Sequence, residues 1–379
     1  MEKLVPTITE RRRLTRNRMY RFIYDAGQPV SKQQIASAMG YSLPTVHQNI
    51  MELGNAGLIR PGELQKSTGG RPAVGYTVNE TCRYAIGVSV VSDRIRLLLT
   101  DLKQNELDYR SWDFSSTDGN AIGRFIAGEV ARCLSDHGID RSLLLGVGIS
   151  FPGIFSEDGR SIVFSPTLKM TDIDLAALKE PIPYPVFAEN DSTSGGAAEW
   201  CGLPAEEKKN DFVYLFLEYG VGGAIFIGGK PYCGANGRSA EFGHMCIVPD
   251  GALCNCGRHG CLEAYCSAFR ISRDLGISIE TFFSELKRGN EAYAALWDDL
   301  LRHLALGIIN LRMAFDCDVI LGGCVSMYMG PYMETLRSYV AGRSPFEREA
   351  GYIRLGKYPT KANMMGVAWH FSRAFIDRI

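Results

Sequence analysis

Tyr84-Ala-Ile-Gly-Val-Ser-Val-Val91, then Ser92-Asp93, then Arg94-Ile-Arg-Leu-Leu-Leu-Thr100 reads as a strand, a tight turn and a second strand. The layout returns at Phe212-Val-Tyr-Leu-Phe-Leu-Glu-Tyr219, with Gly220-Val-Gly-Gly223 as the expected turn and Ala224-Ile-Phe-Ile-Gly-Gly229 as the returning strand. Each hairpin opens a stretch of mixed strand and helix patterns. A hairpin at the head of each half predicts a duplicated, two-lobed α/β fold with a cleft between the lobes. Between the hairpins, Leu143-Leu-Leu-Gly-Val-Gly-Ile-Ser150 is a buried strand ending in Phe151-Pro152-Gly153. Pro185-Val-Phe-Ala-Glu-Asn-Asp191 is another, followed by a small-residue helix from Ser192 to Glu199. Strand ends that face a cleft are where polar ligand groups are usually presented.

A chain of 379 residues predicts two or three domains, and 46% hydrophobic with 22% charged residues is the balance of a globular protein with a full core. No apolar run is long enough to span a bilayer. The opening MEKLVPTITERRR lacks the apolar core of a signal peptide, so a cytoplasmic location is expected. In that setting eleven cysteines point to thiols or metal ligands and not to a disulfide framework. The net charge of −1 conceals an asymmetry: residues 1–80 carry eleven Lys/Arg and six Asp/Glu, a balance of +5, which leaves −6 for the rest. A basic head on an acidic body fits a DNA-binding module joined to a ligand-binding one.

Residues 1–80 divide into three short helices and a hairpin. Thr15 to Ala26 is apolar at Met19, Phe22, Ile23 and Ala26, and Gly27 stops it. Ser31 caps a second helix whose buried face is Ile35, Ala36 and Met39. After a Gly40-Tyr41 turn, Ser42 caps a third, with Val46, Ile50 and Leu53 inward. Two helices joined by a short Gly-containing turn make a helix-turn-helix, whose second helix is expected in the major groove of operator DNA. The outward positions Ser42, Pro44, Thr45, His47, Gln48 and Asn49 carry groups suited to base edges and phosphates. Lys66-Ser-Thr-Gly-Gly-Arg71-Pro72, between two extended runs, reads as a wing that brings Arg71 to phosphates or a narrow minor groove.

Cys254, Cys256 and Cys261 lie in a Gly-rich loop shortly after His244. Three thiolates and one imidazole predict a tetrahedral structural Zn2+ site, with Gly257 and Gly260 letting the backbone curl around the ion.

Taken in order, Gly69-Gly70-Arg71-Pro72, Gly148-Ile-Ser-Phe-Pro-Gly153, Glu189-Asn190-Asp191, Ala240-Glu-Phe-Gly-His244, the cysteine loop through Glu263, and Leu321-Gly322-Gly323 resemble the ROK family of repressors, open reading frames and kinases. The cysteine motif is the most specific of these. The resemblance covers nearly the whole chain. It implies a winged helix-turn-helix over residues 1–80, then an actin-like, ribonuclease H-like sugar-kinase body. That body has one lobe over 81–200 and a second, zinc-bearing lobe over 201–379, whose final helix is free to pack back on the first.

The family's sugar ligands map onto Asn190, Asp191, Glu241, His244 and Glu263. Asp191 is the position of the kinase general base. His244 would serve twice, with one ring nitrogen on zinc and the other on the sugar. The phosphate loops depart from the family pattern. Asp-x-Gly-Gly-Thr of the kinases is here Ser89-Val90-Val91-Ser92-Asp93, and Gly-Thr-Gly is Glu218-Tyr219-Gly220. Val91 stiffens the turn, while Asp93 and Glu218 place carboxylates where phosphates should lie, which predicts loss of ATP binding. Gly322-Gly323 persists. Thr167 stands where family members often have Asn. The expected protein is therefore a non-enzymatic, sugar- or sugar-phosphate-responsive repressor of carbohydrate-utilisation genes, acting as a homodimer or tetramer. The rival readings are a ROK-type ATP-dependent sugar kinase and a bifunctional regulator with residual kinase activity.

Overall fold

The computed structural model describes residues 7–64, 74–91, 93–156, 158–165, 168 and 170–379. Arg71 and the rest of the Lys66–Pro72 segment, with Ser92 and Thr167, lie outside the described residues.

Three helices open the chain. Ile8–Asp25 begins earlier than the expected Thr15, because Thr7 and Glu10 form a reciprocal capping box that holds the polar first turn. Lys32–Met39 is capped by Ser31 together with Gln34, and Gly40 ends it in the left-handed conformation. Leu43–Asn55 is capped by Ser42 and buries Val46, Ile50 and Leu53. Strands Ile59–Leu64 and Val74–Val78 pair antiparallel, and Val30–Ser31 adds a third strand through Val30↔Tyr76. That third strand was invisible in the sequence because two residues carry no periodicity.

The body contains two five-stranded sheets with the same plan. In the first, Tyr84–Val91 is central. Arg94–Asp101 and then Glu106–Asp113 extend it antiparallel on one side, and Leu144–Phe151 and then Val186–Asn190 extend it parallel on the other. In the second, Phe212–Leu217 is central, with Val221–Ile227 and Lys230–Pro231 antiparallel on one side and Asp318–Gly322 and Ile353–Leu355 parallel on the other. The duplication anticipated from the two hairpins is therefore a repeat of strand order. The turn of the second hairpin is not where the glycines suggested. Leu217 pairs with Val221, so Glu218–Gly220 make the turn and Gly222 and Gly223 lie in the strand. They are small there because Ser192 and Phe242 fill the space a Cβ would take.

Two helices pass between the sheets. Asp191–Gly202 packs Gly195 and Gly196 against Tyr214 and Phe226 of the second sheet. Ala362–Ile376 lies on the first sheet, its backbone against Gly87 and Gly148, where a Cβ would meet the carbonyls of Met364 and Val367. The carboxylate of Glu199 accepts from the backbone N–H groups of Lys357 (2.7 Å) and Tyr358 (3.0 Å), fastening one helix to the approach of the other. The N-terminal helix is docked on the same element. Met19, Tyr20 and Ile23 share an apolar cluster with Trp369, Ile376 and Ile379, and Arg16 donates to the Ile379 carbonyl from Nε (3.2 Å) and Nη2 (3.0 Å). Among the described residues no helix is long and apolar enough to cross a membrane.

Candidate functional site

The strand ends of both sheets open onto one cleft of about 1690 Å³. Asn190, Asp191, Glu241, His244 and Glu263 all line it, although more than seventy residues separate the first from the last in sequence. Asn190 caps the helix Asp191–Gly202. Its Oδ1 accepts from the amides of Ser192 (2.9 Å) and Thr193 (3.0 Å), and its Nδ2 donates to the Gly153 carbonyl (3.0 Å). Asp191 Oδ1 accepts from the Ser192 amide at 2.8 Å. Burial pushes the Asp191 carboxyl up to about 7; the Ser192 amide opposes this, and the negative neighbours Glu218 and Glu241 reinforce it. Burial also raises Glu189, Glu218 and Glu241. Glu263 Oε2 accepts from the Val221 amide at 2.9 Å, which leaves Oε1 beside Cys254 Sγ at 3.7 Å.

Next to these acids, His244, Cys254, Cys256 and Cys261 bring one ligand atom each to within 4.8 Å of one another. Cys254 Sγ lies 3.7 Å from His244 Nδ1, and Cys256 Sγ lies 3.8 Å from Cys261 Sγ. A tetrahedral zinc with bonds of about 2.3 Å to sulfur needs ligand atoms about 3.8 Å apart, so the cluster is compatible with zinc. Because Nδ1 faces the thiols, Nε2 of His244 is the nitrogen left for the cleft. Gly260 has φ of +80°, and a Cβ on it would lie 1.8 Å from the Val248 carbonyl oxygen, so the loop can close only with glycine there.

The altered loops line the same cleft. Register sets Arg96, Ser89, Ser150 and Glu189 side by side across the first sheet. Ser89 Oγ accepts from Asn363 Nδ2 at 3.1 Å, so the last helix contacts the position where the kinases carry their acid. Glu218, expected to face the nucleotide, lines the cleft, and its Oε1 accepts from the Cys324 amide at 2.9 Å, directly after Gly322-Gly323. Asp93 and Val91 line the cleft as expected. Sequence reasoning passed over Glu189, Arg96, Phe269, Arg273 and Asn363, all of which line it. Glu189 stood inside a quoted motif, and alternation along the strand from Arg94 would have found Arg96.

The expected DNA-facing residues sit on or at the cap of one helix. Ser42, Pro44, His47 and Gln48 are exposed, while Thr45 and Asn49 are half-buried. Several are already engaged. Asn49 Nδ2 donates to the Thr45 carbonyl (2.8 Å), Gln48 Nε2 to Glu52 (3.1 Å), and His47 Nδ1 contacts Lys32 Nζ (2.7 Å).

The profile of the ROK family matches residues 85–374. The chain belongs to the ROK family. It is 29% identical over 255 residues to a xylose repressor of Bacillus subtilis, covering 65% of this chain and 64% of that protein. The chain thus spans just under two thirds of the Bacillus xylose repressors it matches. A xylose repressor of Caldicellulosiruptor bescii is 25% identical over 339 residues, covering 83% of this chain and 84% of that protein. A glucokinase of Halalkalibacterium halodurans is 26% identical over 313 residues, 76% of this chain and 94% of that protein. A solved ROK transcriptional regulator, described as a homologue of the Escherichia coli MLC protein, superposes with a TM-score of 0.75 at 21% identity, covering 97% of each chain. These likenesses fix the actin-like sugar-kinase fold of the body.

Proposed function

We propose that this ROK protein is a sugar-responsive transcriptional repressor, with a winged helix-turn-helix over residues 1–80 as its operator-binding head and the cleft as its effector site. The relatives named as repressors support this reading. The observation that carries it is the convergence of Asn190, Asp191, Glu241, His244 and Glu263 on one cleft, where the carboxylate of Glu218 also takes the Cys324 amide. Carboxylates and amides at strand ends grip pairs of sugar hydroxyls. His244, Cys254, Cys256 and Cys261 would hold a zinc ion that fixes the tautomer and aim of His244 and orders the loop bearing Glu263. The domain limits of 81–200 and 201–379, the homo-oligomeric state and the cytoplasmic location belong to the same proposal.

The response needs a route from cleft to DNA head, and the two central helices supply one. Asn190 and Asp191 start the helix Asp191–Gly202. That helix packs on Ala362–Ile376, and the far end of the latter seats the N-terminal helix. Closure of the lobes around a sugar would shift the first helix against the second and so re-aim the heads.

A nucleotide phosphate at the second turn would have to compete with Glu218 for the Cys324 amide and pass Asp93. One observation favours the kinase alternative: a carboxyl titrating near 7, as Asp191 does, is well matched to general-base work at neutral pH. The experiment measures operator affinity with and without a panel of sugars and sugar phosphates, and ATP turnover with the same panel. Weakened operator binding with sugar and no turnover supports the repressor. Sugar-dependent turnover in the usual kinase range of about 1–100 per second would replace it with the kinase.

A further inference from the structure

One wall of the cleft is used by none of the five sugar-facing residues. Tyr219, at the tip of the second hairpin, leaves 45% of its surface exposed and lines the cleft. Its ring centroid lies 5.3 Å from that of Phe269, and the Arg273 guanidinium lies 5.2 Å from the Phe269 ring. Arg273 is exposed and lines the cleft, so its guanidinium can reach a ligand there. The shelf is fixed in advance. The Ala268 amide donates to the Glu218 carbonyl at 2.7 Å, so Tyr219 and Phe269 each directly follow one end of the same backbone bond. It also adjoins the sugar-facing group: Glu263 holds the Val221 amide, and a Cβ on Gly220 would lie 2.8 Å from Glu263 Oε2.

An exposed aromatic ring in a concave site, with a cation behind it, is a surface for a flat or ring-shaped ligand. Two classes have that shape, a nucleobase and a second sugar ring. A nucleobase would arrive tied to phosphates, whose path runs past Glu218 and Asp93. A second sugar ring needs no charged tether, and the cleft of about 1690 Å³ exceeds the roughly 300–1,000 Å³ of ordinary small-molecule pockets.

We propose that Tyr219, Phe269 and Arg273 form a second carbohydrate subsite, and that the effector is a glycoside of at least two rings. Glu241, His244 and Glu263 take the first ring. Tyr219 and Phe269 take the apolar face of the second, whose hydroxyls accept from Arg273. The proposal rests on the sugar-sensing reading and narrows it.

The test is titration calorimetry on the full-length, zinc-loaded protein. The probes are glucose, xylose and N-acetylglucosamine, their α- and β-linked disaccharides, and ATP. At least one disaccharide should bind about tenfold or more tighter than its own monosaccharide. In Tyr219→Ala and, separately, Arg273→Ala that ratio should fall toward one. A ratio near one in the unmodified protein overturns the subsite and leaves sugar sensing standing, as does an equal loss for both classes in Tyr219→Ala. ATP binding that depends on Tyr219 overturns it in favour of a nucleobase shelf. Failure of every sugar to bind overturns the sensing reading and the subsite together.

Discussion

Gly366 meets the carbonyl oxygen of Ser194 so closely that a Cβ on residue 366 would lie 1.8 Å from it. The contact joins the helix that begins at the cleft to the helix that carries the N-terminal head, and no flexible side chain lies between the two backbones to absorb a displacement. Gly366→Ala should therefore push the helices apart. The expected cost is about 1–3 kcal/mol, as for other overpacked cores, seen as a lower thermal midpoint. A midpoint unchanged within error would mean that the helices separate freely, and the relay from cleft to head would lose its physical basis.

Cys256→Ser tests the metal cluster. Loss of one thiolate from a four-ligand set should abolish stoichiometric zinc in the purified protein, measured by atomic emission. The loop carrying Glu263 would loosen and His244 would lose its aim. The proposed DNA head is built from other residues, so operator binding should persist while the sugar response disappears. A zinc-free variant with a normal sugar response would remove the cluster from the sensing site.

Asp191 predicts a pH dependence with a definite sign. Its carboxyl keeps a proton in the folded chain up to about pH 7, against an ordinary value of 3.8. A raised acid of this kind contributes stability that is full below the unfolded value and lost as pH rises through the folded one. Stability should thus decline between about pH 4 and pH 7, and Asp191→Asn should flatten that decline in denaturant titrations. A sugar hydroxyl donating to the carboxylate favours its ionised form, so sugar affinity should rise from pH 6 to pH 8. An Asn variant with the unmodified pH profile would assign the titration elsewhere.

Deleting residues 1–80 would strip Met19, Tyr20 and Ile23 from Trp369 and Ile376, so point substitutions are the cleaner test of the DNA head. Gln48→Ala should cost about 1–3 kcal/mol in operator affinity and relax the preference at one base pair, read by competition among mutated operators. Arg71→Ala should weaken binding to all sequences and lower the salt slope by about one. Circular dichroism should be unchanged in both. Unaltered operator binding in both variants would move the DNA contact off this face.

Much of the architecture was legible because local chemistry writes it. Ser31 and Ser42 cap the helices they were expected to cap, and the strand runs at Tyr84 and Phe212 announced the two sheets. The cysteine loop was legible because ligand spacing within a loop is a short-range property. The second turn was misplaced because Gly222 and Gly223 resemble turn residues, yet they are glycines to make room for Ser192 and Phe242, which come from other parts of the chain.

Periodicity, caps and motif order, all properties of neighbours in the chain, established the duplicated halves, the family and the polar residues to examine. Contacts between distant segments settled the rest. Glu218 finds the Cys324 amide 106 residues away, and Tyr219 meets Phe269 across a second loop. Gly366 brings the closing helix onto the one that starts at Asp191. Such pairings depend on how two sheets and the helices between them fill space together, and close packing of that kind leaves no periodic trace in the residues that achieve it.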